Sequence, residues 1–250
     1  MNNDLERIPP IIHYIWFGGG KHSRLQKKCI KSWSNYCPDY EIRCWNEKNY
    51  DISSAPLFVR QAYNEKKWAF VSDYVRLKVL YDYGGLYFDT DAEVLKDISH
   101  LRNNHAFLAF EYNEMLNNAV MGACKGDPLL KELLGVYEKL SFYDKEGKLN
   151  TVVIGKYTTE IFLKHGLVLD GKEQLVENWR VYPFQFFYPV KLINDNTYYT
   201  KDTCIVHWFE ATWHPEDYKR ARRHDKNPLI RLFRKLPISS LYYKIRNKKQ

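Results

Sequence analysis

Residues 68–91, with the sequence WAFVSDYVRLKVLYDYGGLYFDTD, contain the change of pattern that decides the fold. The first part, to Tyr83, has apolar residues on most faces of a helix, which predicts a largely buried helix. Gly84-Gly85 then ends that helix, because glycine is the commonest residue just past a helix terminus. The apolar strand predicted at 86–88 ends at Asp89-Thr90-Asp91. This order predicts an α/β fold with a polar site at the end of a strand.

The rest of the chain shows the same alternation of strands and helices. Beside the helix at 68–83 and the strand at 86–88, the sequence predicts strands at 11–17, 40–45, 106–110, 120–123 and 205–208, and helices at 23–36 and 128–140. Such alternation predicts an open sheet with helices on both faces. Ligands bind to open sheets of this kind at the carboxyl ends of the strands.

Composition limits the class of protein. The chain has 250 residues, of which 45% are hydrophobic and 27% charged, values typical of one large globular domain or two small ones. No apolar run approaches the roughly 18 residues of a membrane span, and no secretory signal pattern is visible at the first residues. The 5 cysteines lack paired metal-ligand spacing, so we expect reduced thiols in a cytoplasmic protein.

Charge divides the chain into two parts. Residues 219–250 contain twelve Lys or Arg against a single acid, Asp225, whereas residues 1–218 carry a small excess of acids. Apolar and basic residues alternate at helical spacing in the tail, which predicts a basic amphipathic helix that binds an anionic membrane surface. The apolar positions would otherwise pack on the domain or on a second subunit. No nucleic-acid motif accompanies the tail, so nucleic acid is not an expected partner.

Two carboxylates at the end of a strand offer a site for a cation. Asp89 and Asp91 are two residues apart, and oxygen ligands of this kind suit Mg²⁺ or Mn²⁺, which in turn bind a diphosphate. A turn with two solvated acids is the alternative. His207, near the end of a late apolar strand, is either a packing residue or a third ligand that would favour Mn²⁺.

Other residues have both a structural and a ligand-binding interpretation. Asp73 and Arg76 lie three apart on one face of the buried helix, either as an ion pair or as a grip on a polyhydroxyl ligand. Trp16 is either part of the core or a flat surface for a nucleobase. Asn117 and Asn118, which precede the strand at 120–123, fit the same pocket or a simple turn equally well.

The order of these pieces resembles glycosyltransferase family 32, the group with a DXD sugar-binding motif. The resemblance covers roughly residues 8–215. It rests on the opening stretch 8–18, Ser32-Trp33, the stretches 38–41 and 45–46, the long central match from Ala69 to Asp91, and the closing 205–208 with Thr212-Trp213. Bacterial capsular-polysaccharide glycosyltransferases and glucosylating clostridial toxins look similar over this core.

The resemblance implies a GT-A fold with a mixed, mostly parallel sheet over residues 1–218. It also implies a nucleotide-sugar donor such as UDP-galactose or UDP-glucose, a manganese or magnesium ion, and retention of anomeric configuration. The donor would be bound by Trp16, Asp73, Arg76, Tyr87, Asp89, Asn118 and Trp213, and the cation by Asp91, Asp89 and His207. Asp91, Asp89, Asp73 and Arg76 would form the catalytic set. The acceptor would be a saccharide, lipid-linked at the cytoplasmic face of the membrane.

Two features qualify this expectation. Many relatives have Gly-Pro followed by Thr where this chain has residues 154–159, so the acceptor side is less closely matched. No second carboxylate near the motifs is placed as a nucleophile, which favours attack from the side of the leaving group.

Two other functions are alternatives to a glycosyltransferase. One is a haloacid-dehalogenase-like phosphatase, for which Glu93 stands in place of the expected Thr or Val. The other is a non-enzymatic membrane adaptor, which only the tail supports.

Overall fold

The computed structural model describes residues 7–111, 115–189 and 199–210. Its elements in chain order are β1 (Ile11–Ile15), α1 (Arg24–Tyr36), β2 (Glu41–Trp45), α2 (Leu57–Asn64), α3 (Trp68–Tyr83), β3 (Gly85–Phe88), β4 (Ala92–Val94), β5 (Ala106–Glu111), β6 (Met115–Ala123), α4 (Pro128–Tyr137), α5 (Ile154–Lys164), β7 (Gln174–Val176), β8 (Trp179–Tyr182) and β9 (Ile205–His207). Within these ranges no helix combines the length and apolar character needed to span a bilayer.

Seven strands form one mixed sheet in the order β2-β1-β3-β6-β5-β8-β7. β1 pairs in parallel with β2 and β3, and β5 with β8. β6 is antiparallel to both β3 and β5, and β7 is antiparallel to β8. The predicted mixed sheet is confirmed, with parallel and antiparallel pairings in equal number. β4 and β9 form a separate two-stranded antiparallel sheet.

Each face of the large sheet is covered, as predicted. On one face α2, α3, α4 and α5 pack over a core that includes Leu77, Leu80 and Phe162. On the other face the cover is α1 together with the β4–β9 sheet, around Trp33 and Phe88. All five cysteines lie in the described ranges and none forms a disulfide.

α3 is the central helix of the first face, and its end is fixed by β1. The helix spans the predicted residues, and nearly every side chain from Phe70 to Leu80 is buried, the charged Asp73 and Arg76 included. His13 on β1 donates through Nε2 to the Gly84 carbonyl (2.8 Å) and accepts at Nδ1 from the Trp45 indole (3.0 Å). Burial lowers the pKa of His13 to about 4, so this bond is made by a neutral imidazole.

The structure differs from the sequence-based expectations in several elements. β1 ends at Ile15, so Trp16 follows the strand rather than belonging to it. β6 begins at Met115, which places Asn117 and Asn118 inside a strand and not in a turn. α2, α5 and the short strands β4, β7 and β8 were not predicted, because each is short or lacks a regular apolar period. The basic tail at 219–250 lies outside the described residues.

Candidate functional site

One edge of the large sheet gathers the polar residues. β3 and β5 are both antiparallel to β6, so the carboxyl ends of β1, β3 and β5 meet at the same edge. Trp16 follows β1, Asp89 follows β3 and Glu111 ends β5. The amino-terminal half of β6, with Asn118, lies at this edge too. Topology therefore joins residues that are far apart in sequence, at the edge where open sheets bind ligands.

The predicted cation ligands come together at this edge. β4 starts directly after Asp91 and pairs with β9, which places Ala92 opposite His207. His207 Nε2 lies 3.1 Å from Asp91 Oδ1 and 3.7 Å from Asp89 Oδ2. One ligand atom from each of the three residues falls within 4.8 Å of the other two. Two carboxylates and one imidazole at this spacing can share one divalent ion.

The segment 207–210 wraps around Asp91. The Trp208 amide donates to the Asp91 carbonyl (3.1 Å), and the Glu210 amide donates to Asp91 Oδ2 (2.6 Å). Phe209 between them has a φ of 50°, in the left-handed region that non-glycine residues rarely adopt. Its ring packs 4.2 Å from the imidazole of His207. The strained turn therefore aims a backbone donor at one Asp91 oxygen and leaves the other facing His207.

The charges in this cluster support one another. Burial alone would raise the pKa of Asp91, but the charge and hydrogen bond of His207 and the Glu210 amide together lower it. Burial alone would likewise lower the pKa of His207, whereas Asp91 and then Asp89 raise it. The cluster thus favours an ionised carboxylate beside a cationic group.

Within the described ranges, two buried polar atoms at the cluster have no hydrogen-bond partner. They are His207 Nδ1 and Glu210 Oε2. Buried polar groups are normally satisfied, and orphaned ones next to a ligand set are typical of a site completed by an ion or ligand. The mixed oxygen and nitrogen set therefore fits a divalent cation such as Mn²⁺, or Mg²⁺, held by Asp89, Asp91 and His207.

Arg76 on α3 is the hub of the neighbouring network. Its guanidinium contacts Asp73 (2.9 Å) and Asp89 (3.4 Å), and donates to the Asn118 carbonyl (3.0 Å). Burial would lower the pKa of Arg76, but the surrounding negative charge, above all that of Asp89, raises it. Arg76 therefore stays charged and joins α3 to the Asp-x-Asp loop and to β6.

Asp73 is enclosed in the same network. Burial raises the pKa of Asp73 to about 6, and the Asp89 charge adds to this, although Arg76 and the Ile154 amide oppose both. The ion pair, one of the two alternatives that the three-residue spacing left open, is present in the structure. Its burial, with Asp73 8% and Arg76 5% exposed, makes it costly to form, which favours a role beyond stability.

Tyr87 and Asn118 support this network from the sheet. The Tyr87 hydroxyl donates to Asp89 Oδ1 (2.6 Å), and the Arg76 guanidinium lies 4.6 Å above its ring. The Asn118 side-chain oxygen accepts from Thr158 of α5 (3.0 Å). Both residues are buried. Their predicted contact with a donor stays a prediction, since the structure shows them bonded to residues of the site.

Trp16 borders a separate, basic groove at the same edge. Its indole donates to the Gly20 carbonyl (2.7 Å), and the His22 ring lies 4.1 Å from its own. A groove of about 400 Å³ runs beside this pair and is lined also by Lys21, Lys27 and Lys48. An aromatic face with surrounding lysines suits a nucleobase and phosphates. Trp213 lies outside the described residues, and its role stays a prediction.

Three further residues were not singled out from the sequence. Glu111 accepts from Asn117 (2.6 Å) and helps to raise the pKa of His207, which places a carboxylate at the end of β5. Glu210 lies beside Asp91, and Thr158 holds Asn118. Glu210 was the one with a signal, because it follows His207 within the closing element. Glu111 and Thr158 have none in a single sequence.

A family model matches part of the chain. Residues 23–108 match the model of a family described as a glycosyltransferase sugar-binding region containing a DXD motif. The matched range includes Asp73, Arg76 and Asp89-Thr90-Asp91 and ends before β9. The expected resemblance to glycosyltransferases with a DXD motif is therefore confirmed for that range, whereas the narrower assignment to family 32 and to bacterial capsular enzymes stays a prediction.

Two curated proteins are similar over part of the chain. Inositol phosphoceramide mannosyltransferase 3 of Schizosaccharomyces pombe is 28% identical over 151 residues, which cover 56% of this chain and 40% of that protein. An uncharacterised protein of Arabidopsis thaliana is 34% identical over 121 residues, covering 48% of this chain and 18% of its own length. The chain thus spans less than half of either relative.

Among solved structures, the PaToxG glycosyltransferase has a similar fold. It superposes with a TM-score of 0.50 at 20% identity, over 64% of this chain and 69% of that one. At this identity the likeness concerns the fold alone. The mixed α/β architecture thus resembles that of glycosyltransferases, as expected from the sequence.

Proposed function

We propose that the protein is a metal-dependent, retaining glycosyltransferase that moves a hexose from a nucleotide-diphosphate sugar to a saccharide acceptor. The observation that carries the proposal is the Asp89, Asp91 and His207 cluster beside the buried Asp73–Arg76 pair. The first can hold a cation and the second presents a charged, directional hydrogen-bonding surface. The DXD family match over residues 23–108 supports the same function.

Each group of residues has a place in this reaction. The groove beside Trp16 would bind the base, and Asp73 and Arg76 would bind sugar hydroxyls. Asp89, Asp91 and His207 would hold the cation at the diphosphate, where a bound divalent ion neutralises the charge that develops on the leaving group. Arg76 would meanwhile hold Asp89 in place, because its guanidinium contacts that carboxylate at 3.4 Å.

We further propose attack from the side of the leaving group. The bond between the anomeric carbon and the diphosphate oxygen breaks, the acceptor oxygen bonds to the same carbon, and its proton passes to the departing diphosphate. Four of the described carboxylates at the edge support this course because each is already bonded: Asp73 and Asp89 to Arg76, Asp91 to the Glu210 amide and Glu111 to Asn117. Determination of the product's anomeric configuration tests this step, and inversion would contradict it.

The donor and acceptor follow from weaker evidence. UDP-galactose or UDP-glucose is expected from the family resemblance, whereas the yeast relative's name makes mannose the competing sugar. That relative's lipid acceptor is consistent with a lipid-linked saccharide here, in surface-polysaccharide synthesis. We propose that the basic tail holds the enzyme at the inner face of the cell membrane, close to such an acceptor.

The two competing functions are less well supported. A haloacid-dehalogenase-like phosphatase needs its first motif carboxylate free for attack, but Asp89 is held by Tyr87 and Arg76. A non-enzymatic adaptor would leave the buried charges around Arg76 without a purpose, since burying them costs stability.

Thermal stabilisation by a panel of nucleotide sugars tests the proposal. A ligand that binds the native state raises the melting temperature by mass action. We expect one sugar nucleotide to stabilise the protein more than its bare nucleotide, and hydrolysis of that donor to require Mn²⁺ or Mg²⁺. Absence of both effects across UDP and GDP sugars would contradict a glycosyltransferase function.

A further inference from the structure

Side chains on one face of α1 bond to β4. They contact the edge of β4 opposite the one that pairs with β9. The Trp33 indole donates to the Ala92 carbonyl (2.7 Å), and the Val94 amide donates to the Ser32 hydroxyl (2.9 Å). Lys28, one helical turn before Ser32, forms an ion pair with Glu93 (2.8 Å). Three consecutive residues of β4 are therefore held by side chains of one helix.

Glu93 connects these contacts of α1 to Trp208, the residue directly after β9. Its carboxylate is 12% exposed, and beside Lys28 it accepts a hydrogen bond from the Trp208 indole (2.9 Å). Trp208 directly follows His207, and its amide donates to the Asp91 carbonyl. Because a buried carboxylate is costly unless it is bonded, Glu93 favours the arrangement in which Trp208 occupies this position.

The spacing of the cation ligands depends on that position. β4 and β9 are three residues long, so few backbone hydrogen bonds of the small sheet hold His207 opposite Ala92, beside the one that the His207 amide donates to the Phe187 carbonyl (2.9 Å). A rotation of the chain at Trp208 would carry the His207 ring away from Asp91, from which its Nε2 is separated by 3.1 Å.

We propose that Glu93 is a positioning residue that sets the cation affinity of the Asp89, Asp91 and His207 site by anchoring Trp208. Its described contacts are to Lys28 and Trp208, so it acts through the segment 207–210. The inference rests on the proposed cation site. It also gives Ser32-Trp33 a function: the pair fixes β4 so that Glu93 can act on Trp208.

Mn²⁺ affinity of the full chain tests this proposal, measured from the free-ion electron paramagnetic resonance signal without any donor. Loss of a residue that orients metal ligands typically weakens affinity about 10- to 100-fold. We expect Glu93→Ala to weaken Mn²⁺ binding at least about tenfold. Glu93→Gln, whose amide oxygen can still accept from Trp208, should retain most of the affinity. Lys31→Met is the control, since Lys31 is exposed on the same helix, and it should bind as the wild type does.

Trp208→Phe provides an independent variant should Glu93→Ala fail to fold. It keeps an aromatic ring and removes the indole N–H, so it should also weaken Mn²⁺ binding while the circular dichroism spectrum stays unchanged. Wild-type affinity in folded Glu93→Ala or in Trp208→Phe would overturn the proposal. A wild-type protein that binds no Mn²⁺ would instead overturn the cation site on which the proposal rests.

Discussion

Asp73 is the residue whose titration differs most clearly from that of an exposed carboxylate in the network around Arg76. Burial raises its pKa from 3.8 to about 6, so the folded protein binds a proton at Asp73 more readily than the unfolded chain does. Its favourable contribution to stability is therefore complete below pH 3.8 and is lost as pH rises through about 6. A buried acid that costs stability at neutral pH is typical of a functional position.

Asp73→Asn should reveal this cost. As pH rises from 4.5 to 7, the wild type should lose about 2 kcal/mol of unfolding free energy relative to the variant, because Asn does not ionise. Urea unfolding of both proteins at each pH measures the difference, and other titrating groups cancel. A difference that is independent of pH would contradict the raised pKa.

The same variant separates sugar recognition from simple ion pairing. If Asp73 binds hydroxyls of the donor, Asp73→Asn should weaken binding of the sugar nucleotide by about 1.5–3 kcal/mol, which is tenfold or more. Bare nucleotide should bind nearly as before. Calorimetric titration with both ligands gives the two affinities, and equal losses would assign the Asp73–Arg76 pair a structural role.

At the scale of elements, the close approach of α5 to β6 depends on one glycine. A Cβ at Gly155 would lie 2.5 Å from Cε of Met115 and 2.6 Å from the Leu116 carbonyl oxygen. The side chain can move but the backbone oxygen, which belongs to a paired strand, cannot. This contact places Thr158 against Asn118 and the Ile154 amide against Asp73.

Gly155→Ala should therefore destabilise the protein by about 1–3 kcal/mol, the usual cost of overpacking a core. Gly135→Ala on α4 is the matched control, since nothing lies within 4 Å of its added Cβ. That change should be neutral or stabilise by up to about 1 kcal/mol. Denaturant unfolding compares the two, and equal effects would show that α5 can shift away from β6 without cost.

The elements also show how far sequence reasoning can go. α3 was predicted at its observed bounds because its apolar residues are continuous and two glycines end it. The three-residue spacing of Asp73 and Arg76 allowed their ion pair, and the two carboxylates after a predicted strand indicated a polar site at Asp89-Thr90-Asp91. The β4–β9 pairing could not be, because these strands are three residues long and more than a hundred residues apart. Consequently Asp89, Asp91 and His207 were named together as cation ligands only through the family resemblance, and no sequence pattern predicted the contact between Asp91 and His207. α5, which carries Gly155 and Thr158, was not predicted because its sequence lacks a regular apolar period.

At the scale of the whole molecule, charge is divided between residues 1–218, which carry a small excess of acids, and a basic tail at 219–250. We expect truncation at Asn227 to abolish co-sedimentation with anionic liposomes, because each Lys or Arg near such a surface contributes about 1 kcal/mol. Binding by the full chain should weaken with salt, and hydrolysis of soluble donor should survive truncation. Sedimentation of the truncated protein to the same extent as the full chain would rule out the tail as the anchor.

The parts of the candidate site lie in order along one edge of the large sheet. The groove beside Trp16, the network around Arg76 and the cation ligands follow the strands from β1 to β3, and Glu111 continues the edge at β5. This order would place the nucleotide beside β1 and the acceptor towards β5, with the cation between them. In the proposed function, donor binding depends on the divalent ion that Asp89, Asp91 and His207 hold.

The donor-induced rise in melting temperature tests this dependence directly. It is measured with and without Mn²⁺, in the wild type and in Asp91→Asn. The variant should fold normally, because Asp91 lies in a loop after β3 and its main-chain contact with Trp208 is kept. We predict that the donor raises the wild-type melting temperature by several degrees more when Mn²⁺ is present, and that Asp91→Asn abolishes this increment and turnover. Full donor stabilisation and turnover in the presence of a chelator, or in Asp91→Asn, would show that donor binding does not depend on a divalent ion held by Asp91.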